Sequence, residues 1–217
     1  MVWIVDADVT KCFDTIPQDK LLRTVARRVV DGSMLALVKK FLEAPVIEER
    51  EGGRRSRPRR GTPQGGPASP LLANIYLELL DRNFRRHVER GELQGRLVRY
   101  CDDLVIVCPH RADVEMAWLA RLLARMGLTL HPDKTRITHV GDEWVDFLGD
   151  RVRRRSNGRV VLDISKKARS RIRDTLRAST RRTLVSLDEL IAELNVYIRG
   201  AREYFCLAKP DPSPKLP

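Results

Sequence analysis

The sequence predicts an α+β fold, and three observations carry that prediction. Residues 3–8, 97–100 and 104–108 are short, β-branched and apolar, the length and composition of buried strands rather than helices. Between these runs lie segments whose apolar residues recur every three or four positions, as on an amphipathic helix. From Ser165 onward the strand signal disappears and only helical spacing remains. A mixed sheet domain over residues 2–164, followed by a helical segment, is therefore expected.

In chain order, Trp3 to Asp8 reads as a buried strand in which Asp6 and Asp8 share one face. Pro17 suits a first helical position, and Leu21, Leu22, Val25 and Val29 follow at helical spacing. Gly32 is the expected stop, with Ser33 capping a second helix through Phe41 and Leu42. Residues 45–64 read as strand and loop around a Gly52-Gly53 turn. The Ser69-Pro70 pair has the form of an N-cap and N1 proline, opening a long helix that carries Leu72, Tyr76, Leu80 and Phe84 and stops at Gly91. Residues 97–108 form two strands around Asp102-Asp103, read here as the connection between them. A helix over 114–126 stops at Gly127, and 128–140 should hold a strand on each side of residues 131–135. Asn157-Gly158 marks a hairpin within 151–164. Residues 166–183 make a very basic helix. Ser186 and Glu189 then form a capping box ahead of an apolar stripe running from Leu187 to Phe205. The proline-rich tail, 208–217, is expected to be disordered.

Composition narrows the partners. The chain has 217 residues, 41 Lys and Arg against 29 Asp and Glu, and a net charge of +12. The excess is concentrated in the C-terminal third and at Arg50, Arg54, Arg55, Arg57, Arg59 and Arg60, blocks that attract phosphate backbones. Four cysteines without Cys-x-x-Cys spacing read as reduced thiols. No apolar run has the length of a membrane span, and the start lacks the features of a signal peptide, so a cytoplasmic, bacterial setting is expected. Neither a P-loop nor a dinucleotide-binding glycine pattern occurs, which excludes those nucleotide folds.

Asp8 ends an apolar strand, and Asp102-Asp103 sit at the mouth of another. Adjacent like charges are a poor choice for a tight turn, and a divalent cation would compensate for them. A solvated acidic turn is the plain alternative. Two carboxylate sources about ninety residues apart suggest a two-metal phosphoryl-transfer site, for which hard oxygen ligands suit Mg²⁺.

Five blocks occur in order: Asp8 to Asp14 (DVTKCFD), Gly61 to Leu77 (GTPQGG through SPLLANIYL), Tyr100-Cys101-Asp102-Asp103, Gly127 to Thr135, and Phe147-Leu148-Gly149. Together they resemble a reverse transcriptase palm, and most of all that of group II intron-encoded reverse transcriptase/maturases. Leu194 to Gly200 (LNVYIRG) with Tyr204-Phe205 resembles the start of the thumb/maturase region in that family.

The resemblance implies an RNA-directed DNA polymerase with a palm over residues 1–164 and partial thumb or maturase-like helices over 165–207. Asp8, Asp102 and Asp103 would be catalytic, and Asp8, Val9, Asp102 and Asp103 the ligands of two Mg²⁺ ions, with Mn²⁺ as a substitute. Lys134 would serve pyrophosphate departure. Phe13 would block a nucleotide 2′-OH, or else be a core residue. Gln64 and Gly65 would lie beside the incoming nucleotide, Tyr100 and Cys101 at the primer end, and Phe147 to Gly149 under the primer strand. Cys101 departs from the family's usual Ala. Arg169, Arg171, Arg173 and Arg177 would contact nucleic-acid phosphates. The implied partners are an RNA template (group II intron RNA), a DNA primer and dNTPs. The fingers, which precede the palm in the family, would have to come from elsewhere, so weak unaided synthesis is expected. An RNA-binding maturase module and an inactive fragment remain the alternative readings.

Overall fold

The computed structural model describes residues 2–48, 54–56, 59–63, 65–182 and 185–208, with backbone only for 46–48 and 54–56. Gln64, the Gly52-Gly53 turn, Arg50, Arg57, the side chains of Arg54 and Arg55, and the tail from residue 209 lie outside that description. The chain forms two compact units, residues 1–137 and 138–217.

The first unit is built on strands β1 (Trp3–Asp8), β4 (Arg96–Tyr100), β5 (Asp103–Cys108) and β6 (Arg136–His139), in the order β4-β5-β1-β6; the unit boundary falls inside β6. Strands β4, β5 and β1 are mutually antiparallel. Helices α1 (Cys12–Thr15), α2 (Gln18–Val25), α3 (Gly32–Leu42), α4 (Ser69–Glu89) and α5 (Asp113–Met126) intervene, and a short ribbon pairs β2 (Val46–Glu48) with β3 (Arg54–Ser56). Val5 and Ala7 of β1, with Leu104, Ile106 and Cys108 of β5, alternate along their strands onto one face. That face packs against Leu21 and Val25 of α2, Tyr76, Leu77 and Leu80 of α4, and Leu119 and Leu123 of α5, all buried. Tyr76 resolves its buried hydroxyl by donating to Met126 O at 2.5 Å, which ties α4 to the end of α5.

Several local expectations shift by a few residues, each for a hydrogen-bonding reason. Asp31, not Ser33, caps α3: its carboxylate accepts from the amides of Ser33 and Met34, and Gly32 is the first helical residue rather than a stop. Ser69 lies inside α4 with Pro70 behind it, and Ala68 holds the cap position. The Ser69 hydroxyl instead donates to Pro63 O at 2.5 Å and closes the preceding loop. The strand expected before residue 131 is reduced to one bridge, Val9 to Leu130; β6 follows as expected. Gly127 stops α5 with φ 82°, as its position requires.

The second unit contains a three-stranded antiparallel meander of β7 (Val145–Phe147), β8 (Asp150–Arg154) and β9 (Val160–Ile164), then α6 (Lys166–Thr180) and α7 (Leu187–Tyr204). Leu148-Gly149, both at positive φ, turn β7 into β8, and Gly158 at φ 81° turns β8 into β9. The capping box at Ser186 and Glu189 is formed. Neither α6 nor α7 has a fully buried residue, and Leu187, Ile191, Ile198 and Tyr204 of the apolar stripe are exposed. No described helix is long and apolar enough to cross a membrane.

Candidate active site

The acidic site is set by strand register. β1 ends on Asp8, β5 begins on Asp103, and the antiparallel ladder places the two opposite each other. Tyr100 pairs with Asp103 on its other side, so the tight connection is Cys101-Asp102 and Asp103 belongs to the ladder. The sequence reading of Asp102-Asp103 as the connection is corrected by one position. Cys101 takes φ 54°, the positive value that the first position of a primed two-residue turn demands. A residue with a β-carbon resists that conformation by about 1 kcal/mol, so the turn needs outside support.

Arg99 supplies that support. Its side chain, 11% exposed, donates to Cys101 O at 2.9 Å and to Asn74 Oδ1 at 2.7 Å. Its other nitrogens fork onto Asp81, with Nε 3.0 Å from Oδ1 and Nη2 2.5 Å from Oδ2. Asn74 Nδ2 lies 4.0 Å from Cys101 Sγ. Asn74 stands inside a motif block and Arg99 directly before another, yet their spacing gave no sign of this cluster. Asp81, a carboxylate on the long helix, was missed altogether.

A second segment closes the site from the β1 side. Thr10 N donates to Thr129 O (2.9 Å), His131 N to Asp8 O (2.8 Å) and Asp8 N to Thr135 Oγ1 (3.5 Å). This stitching brings Lys134 Nζ to 3.2 Å from Asp8 Oδ2. Asp6, on the same strand face, lies 3.8 Å from Arg136 Nε instead. The Val9 side chain is buried and apolar, so only its main chain can offer an oxygen.

The electrostatics are those of crowded negative charge. The Asp103 carboxyl is pushed above the usual range, by desolvation and then by the charges of Asp102 and Asp8. Asp103 is largely exposed, so the repulsion is the part of this push that the geometry supports best. Below them the buried Cys12 thiol is raised to about 12, by burial first and then by Asp102, and stays protonated. As the side chains stand, no three His, Cys, Asp or Glu groups among the described residues are gathered to hold a metal ion. The donors nonetheless suit a hard cation: three carboxylates at one sheet end, mutually repelling, with Lys134 the cation placed on Asp8.

Phe13 on α1 is half-buried against the core. The loop carrying Gly65 is fastened beneath it: Thr62 N donates to Phe13 O and Gly61 N to Ile16 O, both at 2.7 Å. Gly65 is exposed at φ 76°, and Tyr100 is exposed. In the second unit Arg171 and Arg173 are exposed, and Arg177 lies 4.0 Å from Asp174. Arg169 is engaged with Asp163, a structural pairing that the sequence did not reveal.

With this geometry in view, the relatives are informative. The family model described as reverse transcriptase (RNA-dependent DNA polymerase) matches residues 1–152. The chain belongs to the reverse transcriptase family. The putative COX1/OXI3 intron 1 protein of Saccharomyces cerevisiae is 28% identical over 68% of the chain, and 23% of that protein is covered. The group II intron-encoded protein LtrA of Lactococcus lactis subsp. cremoris is 41% identical over 37% of the chain, with 13% of it covered. These intron proteins bear out the resemblance to group II intron reverse transcriptases, and the chain spans about a quarter or less of their length. A telomerase of Candida tropicalis, solved with a fragment of telomeric RNA, shares the fold at TM-score 0.58 and 13% identity, over 94% of this chain and 38% of the telomerase. The reverse transcriptase palm is thus an α+β sheet with helices packed on one face.

Proposed function

We propose that this chain supplies the palm and the first thumb helices of an RNA-directed DNA polymerase of the group II intron type. The observation that carries the proposal is the register of Asp8 against Asp103, with Asp102 in the adjoining turn, which puts three carboxylate-bearing residues at one sheet end. Reverse transcriptases use divalent metals. Here Asp8, Asp102 and Asp103, with the main chain of Val9, would hold two Mg²⁺ ions. When bound, such ions activate a hydroxyl nucleophile and neutralise charge on the leaving oxygen.

The chain's own residues do the rest. Arg99 and Asp81 hold the turn bearing Asp102 against the strain at Cys101. Lys134, beside Asp8, would donate a proton or positive charge to departing pyrophosphate. Phe13, on the helix that the Gly65 loop docks against, would exclude a 2′-OH with its ring. The arginines of α6 would contact phosphates of an RNA template and DNA primer.

Extension of an oligo(dT) primer on poly(rA) with Mg²⁺, by the longest natural reading frame containing this chain, tests the proposal. Asp102→Ala should abolish extension; activity that survives it overturns the site assignment. RNA binding without any extension by that frame would favour a maturase module instead.

A further inference from the structure

Away from the acidic site, a cavity of about 250 Å³ lies between α2 and α4, with Thr24, Arg27, Arg28, Asn74, Glu78 and Arg82 as its polar lining. Two of these groups are already engaged. Thr24 Oγ1 donates to Lys20 O at 2.8 Å, and Asn74 Oδ1 accepts from Arg99 at 2.7 Å. What remains is three guanidinium groups facing one carboxylate. Glu78 reaches only Arg28, at 3.3 Å, and with side chains 72% and 37% exposed that pair is weak and readily exchanged.

Arg27 and Arg28 follow the C-terminal end of α2, where positive charge offsets the helix dipole. That explanation does not reach Arg82, which sits in the interior of α4. Its Nε is buried with no acceptor, an arrangement that ordinarily costs about 1–3 kcal/mol. Among the described residues Arg27 has no carboxylate partner either. Two guanidinium groups without a carboxylate partner among the described residues, and a loosely paired one, therefore line a single cavity.

We propose that this cavity is a phosphate-binding site. The guanidinium groups of Arg27, Arg28 and Arg82 take the oxygens of one phosphate group. Planar guanidinium forks match phosphate oxygens in spacing and charge. The volume leaves room for part of whatever the phosphate is esterified to. The site is separate from the aspartates and does not rest on the polymerase reading, although Asn74 lines it while also holding Arg99.

Calorimetric titration of the chain with inorganic phosphate, at fixed ionic strength, tests this. One equivalent should bind, and Arg82→Gln should weaken binding about tenfold, the loss of one charge-assisted bond. Arg27→Gln, at an exposed position outside any helix, should weaken it too and keeps the test open if Arg82→Gln misfolds. Arg121→Gln, an exposed charge on α5 outside the cavity, should change nothing. Absence of saturable binding, or equal weakening by all three substitutions, overturns the proposal. Competition by a trinucleotide with and without a 5′-phosphate identifies the source. Competition by both means bridging phosphodiesters, by the phosphorylated form alone a terminal phosphate, and by neither free phosphate; each outcome supports the site.

Discussion

Arg99 is the residue on which the acidic turn depends most directly. Its fork on Asp81 and its bond to Cys101 O convert a strained two-residue turn into a fixed platform for Asp102. Arg99→Met would leave Asp81, 31% exposed, without its partner and the Cys101 carbonyl without its donor. A loss of about 2 kcal/mol is expected, below the figure for fully buried pairs because water reaches Asp81. Urea titration checks it. Arg99→Lys keeps the charge but cannot fork, so it should recover much of the stability while primer extension stays at least about tenfold down. Equal recovery of both would mean that Arg99 serves stability alone. None of this was legible beforehand. The sequence marks Asp102 and Asp103 by their chemistry, whereas the partnership of Arg99 with Asp81 exists only once α4 lies across β4.

At the scale of elements, the strands and long helices were readable because periodicity reports burial directly. Asp8 at the end of β1 was visible for that reason, whereas Asp103, read as part of the connection, proved to be the first residue of β5. What was not readable was how loops attach. Ser69 looked like a cap and became a loop clasp: it lies inside the helix, behind Ala68 at the cap position, and its hydroxyl donates to Pro63 O. The loop around Gly61 illustrates the cost of such attachments. A β-carbon at Gly61 would stand 2.7 Å from Asp14 Cα and Phe13 O, and the residue holds φ 81°. Gly61→Ala should therefore cost about 2 kcal/mol or more and loosen the Gly65 loop from α1, seen as faster amide exchange at Thr62. In the second unit, β8, β9 and α6 meet on Asp163, whose side chain is 3% exposed. Burial alone would raise its carboxyl. The hydrogen bond from Arg151, the charge of Arg169 and the Ile164 amide outweigh burial and hold it below the ordinary carboxylate range. A depressed folded value means that the contribution is complete above the unfolded value near pH 4 and is lost as pH falls through the folded one. Asp163→Asn should lower stability at neutral pH and flatten its decline below about pH 4, as followed by circular dichroism.

For the whole molecule, charge was the earliest signal and the least specific. A net +12 pointed to a polyanion partner, but it could not distinguish arginines available to a phosphate from arginines that hold the fold together. The structure separates them within one helix. Arg169 is committed to Asp163, while Arg171 and Arg173 are exposed. Their consequences for RNA binding should differ in kind. Each phosphate neutralised on a single strand contributes about 0.7 to the slope of log affinity against log salt. The pair Arg171→Gln and Arg173→Gln should then reduce the slope by roughly 1.4 and leave the melting transition in place, because neither side chain holds another part of the fold. Arg169→Gln should do the reverse, lowering stability by about 1 kcal/mol for a half-exposed pair while the slope changes little. Filter binding at several salt concentrations, set beside thermal melts of the same variants, separates the two roles. A slope that falls equally for all three positions would place Arg169 on the nucleic acid and show that its contact with Asp163 yields when RNA binds.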